Sequence, residues 1–207
     1  MARQQAEIRR EEILRAAATV VSRKGFARTR VADVAAELGI SAGLVFYHFD
    51  SKERLLSEAF VLASERDLDT VDAAVAGPGT HVERLRNVIR LHQQISSDTS
   101  DLDAWPRNID AWAEGRWTEE IREVARRNDE RWRNALTRLI TSGVEAGEFR
   151  SADPQETALR ICVMLDGLAV ATQVRGTLSR GRARAWADEC AARELGLPSP
   201  MLPPAQR

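Results

Sequence analysis

Apolar residues recur every three or four positions along most of the chain, with few runs that alternate as a strand would. The pattern predicts helices almost throughout. Ile8, Ile13, Ala17, Val20 and Val21 form one stripe, on a first helix from about Arg3 to Lys24. Gly25 follows as a C-terminal cap, and Phe26 can fold back onto the stripe. Thr29 is placed to cap a short second helix through Leu38, which Gly39 interrupts. Ser41 can cap a third short helix through about His48. Asp50 or Ser51 then caps a longer fourth one, whose apolar face is Leu55, Leu56, Ala59, Phe60 and Ala63.

Gly77-Pro78-Gly79 is the clearest break in the chain. Just beyond it, Thr80 and Glu83 have the spacing of a capping box for a helix to about Ile95. A polar stretch from Ser96 to Asp103 precedes a helix carrying Trp112. Thr118 then starts a long helix through Val144. Asp153-Pro154-Gln155-Glu156 opens another, with a capping Asp and Pro at the first helical position. A last helix covers about Arg182 to Leu195, before a proline-bearing tail from Pro198. The expected fold is all-α, with about nine helices.

With 207 residues, 43% of them hydrophobic, the chain can bury a real core. Its net charge of -1 is uninformative as a whole-chain sum. Residues 1–30 carry eight Arg or Lys against three acids, a local balance of 8 − 3 = +5, so the remainder sums to -6. A basic head on an acidic body is what a protein needs if only the head meets phosphate; scattered arginines on a solvated helix would give the same count. Cys162 and Cys190 make no disulfide framework. The most apolar stretch, Ala158 to Val174, is interrupted by Arg160, Asp166 and Gln173, which predicts a buried helix and no membrane span. No N-terminal run has the order of a signal peptide, so the chain reads as soluble and cytoplasmic.

An enzyme is the first alternative. His48, His81 and His92 are far apart in sequence, and none has a zinc-ligand spacing with Cys or a carboxylate. There is no glycine-rich phosphate loop and no nucleophile elbow. The reading is therefore no catalytic residues, no metal and no cofactor. A helical scaffold is the second alternative, and it leaves the segment Val31 to Phe49 unexplained. There Val34, Leu38 and Val45 are spaced as apolar pins between two helices, Ala35 is small where they cross, and Gly39 supplies the positive φ of a tight turn. Ile40 plugs the gap below the turn. This is helix-turn-helix spacing, although an αα-hairpin inside a bundle shares it.

The run Gly25-Phe26, Thr29, Val34-Ala35, Leu38-Gly39-Ile40-Ser41, Gly43, Phe46-Tyr47-His48-Phe49, Ser51-Lys52-Glu53 and Leu56 resembles, in order and spacing, the DNA-binding region of the TetR family. The resemblance covers about the first 60 residues. It implies a homodimer binding a near-palindromic double-stranded operator, with a DNA-binding domain over 1–54 and a ligand-sensing and dimerisation domain over 55–207. It also implies that a small-molecule effector releases a repressor; an activator or a co-repressor-dependent regulator would share the fold. Carried over residue by residue, Thr29 caps the second helix and touches a phosphate. Arg30 lies beside it. Ser41, Ala42, Gly43 and Leu44 begin the recognition helix, and Tyr47, His48 and Lys52 point toward phosphates. Three positions depart from the family pattern: Ala42 where Lys is frequent, Leu44 where Thr is frequent, and Phe46 where a tyrosine is usual. Ala42 and Leu44 suit a thymine methyl better than a guanine edge.

Further along, Ala111-Trp112-Ala113-Glu114, Arg131-Trp132-Arg133, Gly143 to Phe149 and Leu165-Asp166-Gly167-Leu168 are similar to the C-terminal domain of the choline-responsive betaine-synthesis repressors. That resemblance leaves the effector open. Trp105, Trp112, Trp117 and Trp132 cluster in sequence with Asp103, Asp110 and Glu114. Trp faces beside carboxylates suit an organic cation, and the same residues also build ordinary aromatic core. Trp112, Trp132 and Asp166 are the expected ligand contacts. Asp166 has three possible partners: a ligand, a helix end or an arginine. In this family the last two large helices pair with those of a partner subunit, which places Ala169 near the expected dimer interface.

Overall fold

The computed structural model describes residues 2–93 and 104–198. Nine α-helices and no strands occur among them: α1 (Ala2–Lys24), α2 (Val31–Leu38), α3 (Ala42–His48), α4 (Lys52–Ala76), α5 (His81–Gln93), α6 (Ala104–Glu114), α7 (Glu119–Glu145), α8 (Pro154–Gln173) and α9 (Arg180–Glu194). The polar stretch before α6, the Trp105 side chain and the tail from residue 199 lie outside the described residues. No single described helix is long and apolar enough to cross a membrane.

Local chemistry sets most helix ends. Ser41 Oγ accepts from the Leu44 amide at 3.2 Å, and Asp153 Oδ1 from the Glu156 amide at 3.0 Å, each satisfying an otherwise orphaned donor. The capping box at α5 is complete: the Thr80 amide donates to Glu83 and the Glu83 amide to Thr80 Oγ1. Ser51, rather than Asp50, caps α4, through the Arg54 amide. Ser179 caps α9, so that helix starts two residues before the Arg182 expected from the pattern. Thr118 does not cap α7 with its side chain; its hydroxyl donates to Glu114.

Two compact units form. Unit 1 takes residues 1–67 and 96–128, and unit 2 takes 68–95 and 129–207, so α4 and α7 each contribute to both. In unit 1, Ile13, Ala17, Val20, Val34, Ala35, Val45, Phe49, Leu55 and Ala59 bury one another. A second cluster joins Val21, Phe26, Leu56 and Phe60 to Ala111, Ile121 and Val124, with Phe26 edge-on to Phe60 at 5.5 Å. This second cluster draws α6 and the start of α7 into the same unit as α1 to α3. Ile8 is not part of the α1 stripe: it is 53% exposed, and burial begins at Ile13.

Unit 2 centres on Leu85, Ile89, Leu136, Leu139, Ile140, Phe149, Ala158, Ile161, Leu165, Ala187 and Leu195. The α7–α8 connection locks into it. The Gly143 carbonyl accepts from both Glu148 and Phe149 amides, and Phe149 is buried. Glu148 accepts from the His81 amide and ring Nδ1, which holds its carboxyl below the usual range and anchors the start of α5.

Candidate nucleic-acid interface and ligand site

The bend between α2 and α3 is 106°, within the range for a helix-turn-helix pair. Gly39 makes it possible with a φ of +65°, placing its own amide and that of Ile40 on the last carbonyls of α2. Val45 and Phe49 are fully buried beneath α3, while Phe46 is 50% and Tyr47 79% exposed. An exposed aromatic pair is uncommon on a helix with no partner, and here it lies beside Gly43 and Ser41, also exposed. Ala42, Leu44, His48 and Lys52 are half-buried at the margins of that surface, and His48 packs edge-on to Tyr47 at 5.2 Å.

Thr29 departs from expectation. It is fully buried, and its hydroxyl donates to the Gly25 carbonyl at 2.7 Å. The residue at the N-cap of α2 is Arg30, in extended conformation, and Asp33 satisfies the Arg30 amide at 2.9 Å. Thr29 therefore neither caps α2 nor reaches a phosphate; it ties the α1–α2 turn together. Lys24 and the Arg30 amide hold the Asp33 carboxyl below its usual value.

The charge count of the first 30 residues also changes in three dimensions. Arg9 pairs with Glu12, Arg15 with Glu11, Arg23 with Glu37, Lys24 with Asp33 and Arg10 with Glu58. Arg28, Arg30 and Lys52 make no described ion pair. Arg28 and Arg30 flank the start of α2, and Lys52 begins α4. Among the described cations of this region, these three lack an ion pair within salt-bridge distance and are available to an anionic partner, Arg28 also acting on Asp110.

The tryptophans that adjoin in sequence have different fates. Trp112 packs partly against the α1–α4–α6 core of unit 1, and Trp117 is 83% exposed. Near Trp112, Asp110 abuts Gly25; burial raises its carboxyl, opposed by Arg28. In unit 2, Trp132 of α7 lies parallel to the His92 ring of α5, with 5.4 Å between centroids and 4° between planes. His92 Nε2 is 3.2 Å from Asp166 Oδ1 of α8. His92 itself is only 4% exposed. So Asp166 pairs with a histidine, a partner absent from the three expected. Cys162, one turn before Asp166, is pushed up to about 12 by burial and then by Asp166. The pairing of His92 with Asp166 escaped the sequence reading because 74 residues separate them.

The α8 face also needs correction. Ala158, Ile161 and Leu165 join the core of unit 2, and Ala169 is already buried in the single chain, so it offers little surface to a partner. The outward face is Leu159, Val163, Gly167 and Val174, at helical spacing, and Trp186 of α9 is exposed as well. Arg182 lies 5.2 Å from the Trp186 ring.

A capped recognition helix set at this angle, with apolar pins below and exposed aromatics above, defines a helix-turn-helix DNA-binding regulator. Residues 13–59 match the family of bacterial regulatory proteins called tetR, and residues 81–196 match the BetI-type transcriptional repressor C-terminal domain. The chain belongs to the TetR family, with a BetI-type C-terminal domain, and is a transcriptional regulator. It is 28% identical over 167 residues to the regulator YfiR of Bacillus subtilis, covering 77% of this chain and 78% of that one. To the regulator BetI of Paraburkholderia phymatum it is 29% identical, covering 84% and 83%. Among solved structures, a transcriptional regulator from Saccharomonospora viridis in complex with choline superposes with a TM-score of 0.79 at 28% identity, over 91% of this chain and 98% of that one.

Proposed function

We propose that the protein is a ligand-responsive repressor that binds a near-palindromic operator as a homodimer and is released by a small-molecule effector. The observation that carries the DNA reading is the surface of α3: a capped N-terminus, an exposed Phe46 and Tyr47, and Arg28, Arg30 and Lys52 without ion pairs nearby in sequence. In this reading Ser41, Ala42, Gly43 and Leu44 enter the major groove, with Ala42 and Leu44 against base edges. Phe46, Tyr47 and His48 line the groove wall. Arg30 takes a phosphate, and Lys52 takes another together with the free amides at the start of α4. DNA binding is assigned to residues 1–54 and sensing with dimerisation to 55–207. The outward α8 face supports a twofold dimer. The choline held by the Saccharomonospora viridis relative supports a sensing role for the second domain.

Fluorescence anisotropy with the DNA upstream of the protein's own gene tests this reading. Lys52→Ala should weaken all operators alike and lower the salt slope by about one, since one phosphate contact is lost. An unchanged slope removes Lys52 from the interface. Leu44→Ala should change preference at one or two base pairs, by about 1–3 kcal/mol each. A loss that is uniform across sequences makes Leu44 a packing residue.

A further inference from the structure

His92 stands where a ligand group would be expected. A site for a small ammonium cation needs an aromatic face and a carboxylate within reach of one position. Unit 2 supplies both, Trp132 from α7 and Asp166 from α8, and the His92 ring lies flat on the first and bonds to the second. The Nε2–H donates to the carboxylate and the ring π-face covers the indole, so one side chain satisfies both features. It is the buried partner of the pair: the His92 side chain is 2% exposed and that of Asp166 38%.

We propose that His92 is a specificity-determining residue: its imidazole fills, from within the chain, the aromatic and carboxylate site that would otherwise take a small ammonium cation, and closes that site to ligands of this class. The inference rests on reading this domain as the effector-binding part. Removing the ring leaves a polar-walled space, with an indole face on one side and a carboxylate on another, that a water cluster or a cation can enter.

The test uses the full chain, with choline chloride as probe in isothermal titration calorimetry. Wild type should give no saturable binding at millimolar choline. His92→Ala should bind it at least about tenfold more tightly, and Asp166→Asn in that background should remove the gain. His92→Phe, which keeps a ring on Trp132, should stay closed. Free imidazole should compete with choline for His92→Ala and raise its melting temperature but not that of wild type; purification in imidazole also supports the variant should it fold poorly alone. Choline binding by wild type that is lost in His92→Ala overturns the proposal, as does His92→Ala that responds to neither choline nor imidazole. The same samples with operator DNA separate the two readings. If choline binds His92→Ala without releasing DNA, the assignment of His92 stands and this site's role in effector sensing fails.

Discussion

Val163→Arg should yield a folded monomer with almost no operator affinity. Val163 is 61% exposed at the middle of the outward α8 face, between Leu159 and Gly167 on adjacent turns. In a twofold interface the same residue or its near neighbours meet across the axis, so one substitution places two charges in one apolar contact. A monomer holds one half-site and loses the gain from linked binding, about 10²–10⁴ in affinity. Because the residue is exposed in the single chain, melting of the isolated fold should change by no more than about 0.5 kcal/mol. Sedimentation velocity and operator anisotropy on one sample check both halves, and an intact dimer would refute the interface. Ala169→Arg is the contrasting variant: Ala169 is buried in the single chain, so the added charge should appear as unfolding.

Gly143→Ala should destabilise the second unit, against the usual trend for a glycine inside a helix. Intrinsic propensity favours alanine by about 1 kcal/mol. At this position, though, an added Cβ would lie 2.2 Å from Cδ2 and 2.5 Å from Cε2 of Phe149. Neither side can yield easily. The Phe149 ring is buried edge-on to His81, and its amide bonds back to Gly143 itself. Overpacking of this kind costs about 1–3 kcal/mol, more than the propensity gain, and should lower the melting temperature by several degrees. Adding Phe149→Leu should recover part of the loss, a coupling measurable as a double-mutant cycle. A rise in melting temperature for Gly143→Ala alone would show that the ring swings aside.

What the sequence revealed was local. The Ser41 and Asp153 caps, the Thr80–Glu83 box and the positive φ of Gly39 involve partners within five residues, and their chemistry is written in the residue types. The resemblance over Gly25 to Leu56 added that these two helices form a helix-turn-helix. Whatever depended on distant partners was hidden. The resemblance placed Ala169 near a dimer interface, but nothing local tells a residue buried within its own chain from one facing a second copy. Thr29 had the side chain of a cap, and its burial follows from a turn that bonds it back to Gly25. The +5 charge of the first 30 residues counted no partners such as Glu37 or Glu58, which arrive from later helices. His92, Trp132 and Asp166 meet only because three helices pack, and no spacing announces that.

The environment of Cys162 gives the protein a built-in chemical clock. A thiol held near 12 carries almost no thiolate at neutral pH, and thiolate is the species that alkylating and oxidising reagents attack. In a variant with Cys190 replaced, labelling of Cys162 should be slow and should rise when the α5–α7–α8 packing opens. A compound that binds the folded unit and stabilises this packing should slow the labelling further.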